Sequence, residues 1–426
     1  MIPAGKSSLF LSFSRKLILQ KERKRRLCRA LENGFPCDFP AASCHLPCFP
    51  VYWDTIIRRR RRSSILQSVL KRGITVNRAF LKELLATPSV SGWEEAIQEK
   101  ALSYGRLFAR AQLTDPSGNA ISVVNPEAEH KVLLCGHIDE IGFVVTHIDA
   151  SGRLSLMGAG GVRPRLYLGS PVQIWHEGKM VSGVIATSGD LLKKDKTEVS
   201  DLVVDIGANS WEEAAQAVSI GDPVCADVQV RELLNDCFTC RALDDRTGAF
   251  VVLEAAREAA AKGASIGICA ATTVGEETTG RGAYYAAARV RPDCAIAVDV
   301  TWASDAPGAR PGDTGEVKVG GGPVLCMASS VNKKLNALLR ETAADLDIDV
   351  QWEIATGRTG TDGDTVNRAG EGIPMALVSI PLRYMHSSVE VGSWRDLQGC
   401  IDLLSAFLVR LSEEMEKGFD FCTLKP

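Results

Sequence analysis

The chain has 426 residues, of which 45% are hydrophobic and 24% are charged, and these values are ordinary for a soluble globular protein of two or three domains. No stretch approaches 18 consecutive apolar residues, so the composition excludes a predicted membrane span. The net charge of −3 hides an asymmetry. Residues 1–74 contain 16 Lys or Arg and four Asp or Glu, whereas the remainder contains 33 and 48.

Residues 1–74 carry a net charge of +12 and include the unbroken run Arg58–Arg62. This segment has three interpretations: a basic arm for nucleic acid or a membrane, an organelle transit peptide, or an unstructured extension without function. Its cysteines and prolines show no amphipathic helical period, and it lacks the apolar core and cleavage site of a secretory signal. We therefore expect a disordered extension, which includes the case of a misassigned start codon, and neither nucleic acid nor a membrane as partner.

The thirteen cysteines are spread over the whole chain rather than spaced as a disulfide framework. The one Cys-x-x-Cys motif, Cys237 to Cys240, has no second pair at zinc-finger spacing. Reduced thiols are the simpler interpretation, and together with the missing secretory signal they predict a cytoplasmic protein.

Two helices are predicted after the extension. The first starts near Asn77 and has one apolar face, formed by Phe80, Leu81, Leu84 and Leu85. Ser91 and Glu94 have the spacing of a capping box, which predicts a second helix over residues 92–110.

Strands are predicted at residues 121–124 and 132–135, and the pattern then changes. Residues 144–233 contain short β-branched runs broken by Gly and Pro, with one helix capped by Ser210, and this pattern is typical of a small β-rich domain.

An alternation of helices and strands returns after residue 233. Strands are predicted at residues 266–274, 295–298 and 375–380, and helices at 246–262, 281–289, 332–346 and around 401–411. The sequence therefore predicts an α/β protein with a mostly parallel sheet and helices on both faces, built from residues 75–143 and 234–418. A β-rich insert at 144–233 interrupts this domain, and a tail at 419–426 follows it.

Acidic and imidazole side chains stand where predicted strands end or helices begin. They are His137, Asp244, Glu276, Glu277, Asp299 and His386. The carboxyl ends of parallel strands share one edge of a sheet, so we expect these groups to converge. Such a set suits two zinc, cobalt or manganese ions that share a bridging carboxylate, with one carboxylate left as a base. Asp139 is close enough in sequence to hold the second ring nitrogen of His137.

Six sequence blocks resemble, in order, the signature of the di-metal aminopeptidases that assemble into tetrahedral particles. Members of that family are labelled glutamyl, leucyl or deblocking aminopeptidases, and some carry a cellulase label. The blocks occupy residues 134–143, 242–248, 273–277, 281–283, 298–301 and 380–387. The resemblance extends from about Asn77 to Leu411 and excludes the basic extension.

The resemblance implies a role for each site residue. His137 and Asp299 would hold one metal ion, Glu277 and His386 would hold the other, and Asp244 would bridge both. Glu276 would be the catalytic base and Asp139 would orient His137. The resemblance also implies a cis peptide between Asp244 and Asp245, a dimerisation role for the β-rich insert, and a homo-oligomer that ranges from a dimer to a dodecamer.

Three features depart from the family pattern. Gly136 stands where Ala is usual before the first His, Gly275 stands where Gln is common, and residues 278–280 are Thr-Thr-Gly instead of Val-Gly-Leu. None of these residues is a predicted ligand, so the departures concern the loop after Glu277 and substrate preference.

The sequence thus predicts a metal-dependent aminopeptidase that hydrolyses amino-terminal residues from peptides with a free amino terminus, using two divalent cations, zinc first, and Glu276 as base. The alternatives are a metal-dependent deacylase of small N-acyl compounds and an inactive metal-binding particle subunit. A cellulase is disfavoured, because glycosidases need a carboxylate pair free to flank the bond, whereas nearly every carboxylate here is required as a ligand.

Overall fold

The structure is a computed structural model that describes residues 76–422. The predicted basic extension at residues 1–74 lies outside the described residues, as do the last four residues of the predicted tail.

The described residues form seventeen β-strands. In chain order these are β1 (Ala111–Thr114), β2 (Ala120–Val124), β3 (Lys131–His137), β4 (Gly142–Ile148), β5 (Leu154–Ala159), β6 (Pro171–His176), β7 (Lys179–Ile185), β8 (Val203–Asp205), β9 (Pro223–Ala226), β10 (Arg231–Glu232), β11 (Cys237–Cys240), β12 (Gly267–Thr273), β13 (Cys294–Trp302), β14 (Val324–Ala328), β15 (Gln351–Ala355), β16 (Met375–Leu382) and β17 (Glu390–Ser393).

Ten α-helices lie within the same residues. They are α1 (Arg78–Ala86), α2 (Glu95–Gly105), α3 (Gly189–Lys193), α4 (Trp211–Ala215), α5 (Leu243–Ala261), α6 (Arg281–Val290), α7 (Pro311–Thr314), α8 (Lys333–Leu346), α9 (Gly363–Val366) and α10 (Trp394–Glu416). Across residues 76–422, no helix combines the length and the apolar character that a membrane crossing requires.

The largest sheet has eight strands in the order β1-β2-β12-β3-β13-β16-β14-β15. Its four central strands, β12, β3, β13 and β16, are parallel to one another. By contrast, β2 is antiparallel to β12, and β14 is antiparallel to β16. This arrangement confirms the predicted α/β fold with a mostly parallel sheet, and it aligns the carboxyl ends of four central strands along one edge.

Each face of this sheet is covered by helices, because the central strands are apolar on both sides. Alternate residues of β3 enter two different cores: Val132 and Leu134 pack on the side of α5 and α10, whereas Leu133 packs on the side of α6. Helix α1 adds its apolar face to the first core, as its spacing predicts, and each such buried side chain stabilises the fold by about 1.5 to 3 kcal/mol.

The β-rich insert forms a closed barrel in the strand order β4-β5-β8-β7-β6-β9. It has its own core, which includes Phe143, Leu154, Ile174 and Val204. A third, three-stranded antiparallel sheet, β10-β11-β17, pairs the segment before α5 with the segment before α10.

The predicted capping box at Ser91 and Glu94 is wrong. The Ser91 hydroxyl lies 2.8 Å from the Thr278 hydroxyl, and the Glu94 carboxylate accepts a hydrogen bond from the Gly92 amide, so neither side chain caps the helix as predicted. Helix α2 therefore begins at Glu95 instead of residue 92. It ends at Gly105, short of the predicted residue 110.

Gly136 lies at the closest approach between β3 and α5. A Cβ atom at this position would lie 2.7 Å from the backbone nitrogen of Ala249 and 2.7 Å from the carbonyl carbon of Gly248. Both contacts are to helix backbone, which cannot rotate away as a side chain can. Because α5 packs directly on β3, residue 136 has room for Gly but not for the Ala that the family resemblance predicts.

We expect Gly136→Ala to lower the free energy of unfolding by about 1 to 3 kcal/mol, because overpacking forces the backbone of β3 and α5 apart. The melting temperature of the purified protein measures this loss. The control is Gly357→Ala, where a Cβ atom meets nothing within 4 Å. Equal melting temperatures for both variants would contradict the packing argument.

Candidate metal centre

The candidate site lies at the carboxyl ends of the central parallel strands. Thr273, the last residue of β12, is paired in register with His137, the last residue of β3. Glu276 and Glu277 follow β12 directly, and His386 follows β16. The structure therefore brings these predicted residues to one edge of the sheet.

Asp244 lies between the two imidazoles of the site. Its Oδ1 atom is 3.1 Å from Nε2 of His137, and its Oδ2 atom is 3.2 Å from Nε2 of His386. Each carboxylate oxygen therefore faces a different histidine. The His386 ring is also 3.5 Å from Oε2 of Glu277.

The start of α5 presents Asp244 to the site because the chain is not yet helical there. Ala242 has a left-handed backbone with φ of 54°, and Asp244 and Asp245 have non-helical dihedral angles. The peptide between Asp244 and Asp245 is cis, as the family resemblance implies. The Asp245 carboxylate is buried and accepts a hydrogen bond from the Gly248 amide.

Asp139 is fully buried beneath His137 and the Glu276–Glu277 pair. One of its oxygens lies 3.4 Å from Nδ1 of His137. The carboxylate also accepts hydrogen bonds from the amides of Glu276 at 3.2 Å and Glu277 at 3.3 Å. Asp139 thus contacts the turn that carries both glutamates, which the sequence analysis did not foresee.

Asp299 lies inside β13, not after its end as predicted. The strand continues to Trp302 because its pairing with β16 continues to Leu382. Its pairing with β3 stops at Ala297. Beyond that point the edge of β13 is free on the side of His137, and Asp299 offers a ligand atom there within 4.8 Å of those of His137 and Asp244.

A loop of the barrel packs against the outer side of the site. A Cβ atom at Gly160 would lie 3.3 Å from Cβ of Glu277, and one at Gly161 would lie 2.8 Å from Nδ1 of His386. Further along this loop, the Arg163 guanidinium lies 5.3 Å above the ring centroid of Trp302. The insert therefore forms part of the site although its core is separate.

Burial raises the pKa of most carboxyl groups in the site. The pKa of Glu276 rises to about 8, since its attraction to His137 does not offset burial and repulsion by Asp362 and Asp244. Burial likewise raises the pKa values of Glu277 and Asp299 well above their ordinary range. Clustered carboxyl groups whose pKa values are raised by burial and mutual repulsion are characteristic of functional sites and of cation sites.

For Asp244 and His137, partner side chains outweigh the effect of burial on the pKa. Burial disfavours ionisation of Asp244, but hydrogen bonds from His137 and His386 outweigh it and hold the pKa of Asp244 well below its ordinary value. Burial also disfavours the charged form of His137, yet Asp139 and Asp244 raise the pKa of the imidazole well above its usual range.

Two overlapping groups of side chains could hold a cation. His137, Asp244 and Asp299 form one, and Asp244, Glu277 and His386 form the other. Within each group, the three ligand atoms lie within 4.8 Å of one another. Oε1 of Glu277 is buried and has no hydrogen-bond partner among the described residues, so it remains available to a ligand.

Two further buried carboxylates border the site and were missed by the sequence analysis. Glu390 accepts hydrogen bonds from the amides of Asp244 and His386. Asp362 accepts one from the Thr273 hydroxyl through one oxygen, and its other oxygen has no partner in the described chain. For Glu390 the available signal was an acid at the start of a strand four residues after His386.

A buried ion-pair network lies next to the site and connects two segments that carry its residues. Arg241 and Arg246 both donate to the Glu140 carboxylate, which also accepts the Ser89 amide at 2.9 Å. Arg246 reaches further, to the Leu85 carbonyl at 3.1 Å. The network ties the segment after β3 to the start of α5, which are the two segments that carry His137 and Asp244.

Comparisons with known proteins agree with this architecture. The chain is 32% identical to lysyl aminopeptidase of Pyrococcus furiosus over 342 residues, which cover 78% of this chain and 96% of that protein. The TET aminopeptidase of Thaumarchaeota archaeon SCGC AB-539-E09 superimposes with a TM-score of 0.75 at 31% identity, covering 80% of this chain and 98% of that one.

A second solved structure is the TET1 peptidase of Pyrococcus horikoshii, described as able to assemble into a tetrahedron or a large octahedral shell. It has a TM-score of 0.69 and 30% identity, and the match covers 78% of this chain and 98% of that one. Residues 118–403 match the family described as M42 glutamyl aminopeptidase. The family match spans seven of the eight strands of the large sheet, all but β1, and every residue of the candidate metal centre, and the chain is therefore an aminopeptidase of the M42 glutamyl aminopeptidase family.

Proposed function

We propose that this aminopeptidase removes amino-terminal residues from peptides with a two-metal centre in which Asp244 is shared. The observation that carries the proposal is the position of the Asp244 carboxylate, whose two oxygens lie 3.1 and 3.2 Å from two different imidazoles. A carboxylate with one oxygen toward each of two nitrogen ligands has the arrangement that a bridging ligand requires.

The donor atoms fit two divalent cations. Two ligands that each lie about 2.0 to 2.1 Å from one tetrahedral cation are about 3.4 Å apart, close to both imidazole–carboxylate distances. Each group would supply one imidazole and two carboxylates to a cation, and three protein ligands are typical of catalytic rather than closed structural sites. Zinc suits this set best, with cobalt and manganese as alternatives.

Charge balance supports the same proposal. Asp244, Glu277 and Asp299 together carry three negative charges when ionised, and they lie in a buried cluster with no Lys or Arg within ion-pair distance among residues 76–422. Two divalent cations supply four positive charges. They would offset the three ligand carboxylates, which no Lys or Arg of the described residues does.

In the proposed mechanism, Glu276 is the base. When bound, the two cations supply Lewis acidity that lowers the pKa of water and polarises the scissile carbonyl. Glu276 accepts the proton of the attacking water and donates it to the leaving amine. In the metal-free site burial and the neighbouring carboxylates raise the pKa of Glu276, and nearby cations would lower it toward the ionised form that a base requires. Asp139 holds the His137 ring and the turn that carries Glu276.

We propose a homo-oligomer in which the barrel mediates dimerisation. Apolar side chains project from the barrel into solvent, among them Met157, Met180 and Val184, each about half exposed or more. Met180 and Val184 point to the same side of β7, on either side of Ser182, and exposed apolar side chains on one face are characteristic of interaction sites. Cytoplasmic placement stays a prediction from the cysteine content.

The metal dependence is tested by a substrate panel. We expect aminoacyl anilides with a free α-amine to be hydrolysed, their N-acetylated counterparts to resist, and a chelator to abolish turnover until zinc, cobalt or manganese is restored. Liberated aniline and metal content are measured together. Full activity without metal would contradict the mechanism. Preference for N-acyl substrates would indicate a deacylase, sugar release from cellulose a glycosidase, and metal binding without turnover an inactive subunit.

We expect Glu276→Gln to retain both cations and to lower kcat by about 10²- to 10⁴-fold, because the amide cannot accept the proton of water. Glu277→Gln is the matched comparison, since it changes the adjacent residue and is expected to reduce the metal content itself. Metal content by mass spectrometry and initial rates distinguish the two. An active Glu276→Gln variant would remove this residue as the base.

We expect metal binding to release protons at pH 7. Burial raises the pKa values of Glu277 and Asp299, and Asp139 and Asp244 raise the pKa of His137, so the protonated form of each group is favoured in the metal-free protein. A cation displaces those protons, and its affinity therefore increases with pH. A pH indicator in weakly buffered solution records the release during a zinc titration. Binding without proton release at pH 7 would contradict the assignment.

A further inference from the structure

Glu390 connects the backbone of two predicted metal ligands. Its Oε2 atom accepts a hydrogen bond from the Asp244 amide at 3.2 Å, and its Oε1 atom accepts one from the His386 amide at 2.8 Å. The residue starts β17 and is paired with Cys240 of β11, which leads into α5. One side chain therefore spans the gap between the segment that carries Asp244 and the loop that carries His386.

Both amides belong to irregular backbone that regular secondary structure does not stabilise. His386 has φ of 61°, in the left-handed region that a residue with a side chain rarely adopts, and Tyr384 has the same φ. Asp244 precedes the first regular turn of α5. The position of the His386 ring relative to the Asp244 carboxylate thus depends on contacts outside both segments.

Glu390 differs from Glu140, Glu254 and Glu258, the buried glutamates that pair with Arg or Lys. It is 2% exposed, yet no Lys or Arg within residues 76–422 lies within ion-pair distance of it. Glu140 is buried to the same extent but is neutralised by Arg241 and Arg246. A buried carboxylate without a cationic side chain depends on its hydrogen bonds, and those of Glu390 go to the amides of two predicted metal ligands.

We propose that Glu390 is a positioning residue that sets the distance between Asp244 and His386, and thereby the affinity for the cation held by Asp244, Glu277 and His386. This inference rests on the proposed two-metal function. It assigns Glu390 to one of the two cation positions, because its carboxylate contacts the His386 amide and has no described hydrogen bond to His137 or Asp299.

The test is a titration of metal-free protein with Co²⁺, followed by visible absorption and calorimetry. The wild type is compared with Glu390→Gln, which keeps the size of the side chain but only one acceptor oxygen. We expect two binding steps in the wild type and, in the variant, a loss of about 10- to 100-fold in the affinity of one step, with a smaller loss in the other because Asp244 belongs to both groups. His386→Ala identifies the affected step, since it removes a ligand of the same cation.

Glu254→Gln is the control for a merely structural role. Glu254 is a fully buried glutamate on α5 that accepts hydrogen bonds from Tyr104 and Arg257, so its replacement is expected to lower stability without changing either binding step. If Glu390→Gln does not fold, Glu390→Asp replaces it. The shorter side chain reaches only one of the two amides, and the same selective loss is expected.

The outcomes separate this inference from the proposed function. Two wild-type binding steps that Glu390→Gln leaves unchanged, or weakens equally, overturn the role of Glu390 and leave the two-metal function standing. A wild-type protein that binds no cation overturns both. Loss of the step that His386→Ala also removes supports the inference.

Discussion

The sharing of one carboxylate between two histidines is the interaction on which the rest of the site depends. Asp244 faces His137 from the end of β3 and His386 from the loop after β16, so segments far apart in the chain meet at its two oxygens. Neither histidine could be displaced without changing the other's partner. The register of the parallel strands and the packing of α5 on β3 both serve to hold this carboxylate in place.

The buried carboxylates around Asp244 fall into two kinds, those that pair with arginine and those that do not. Below the site, Glu140 is neutralised by two arginines, and the result is a rigid brace. Within the site, Glu276, Glu277 and Asp299 lie together with no described Lys or Arg partner, and burial raises their pKa values. An arrangement of this kind is poor for stability and well suited to divalent cations. The fold thus places several buried acids without a described Arg or Lys partner where the proposed cations would lie.

Much of the fold could be predicted because the central strands are buried on both faces and end in polar residues. The runs before His137 and Glu276 located their strands, and apolar spacing located α1 and α10. Half-buried edge strands such as β1 and β15 carry little apolar signal and escaped prediction. Local sequence also failed at three polar residues, because it suits several structures and distant contacts decide among them. Ser91 contacts Thr278, Asp299 lies in a strand that its pairing with β16 extends, and Glu390 accepts the Asp244 amide.

The barrel and the α/β domain have separate hydrophobic cores, so each core can accumulate substitutions without regard to the other. Gly160 and Gly161 are an exception, because a methyl group on either residue would reach Glu277 or His386. A requirement to keep the metal site in the α/β domain therefore also restricts this loop of the barrel. A chimaera that exchanges the whole barrel between relatives would have to carry this pair of glycines with it, whatever else it replaced.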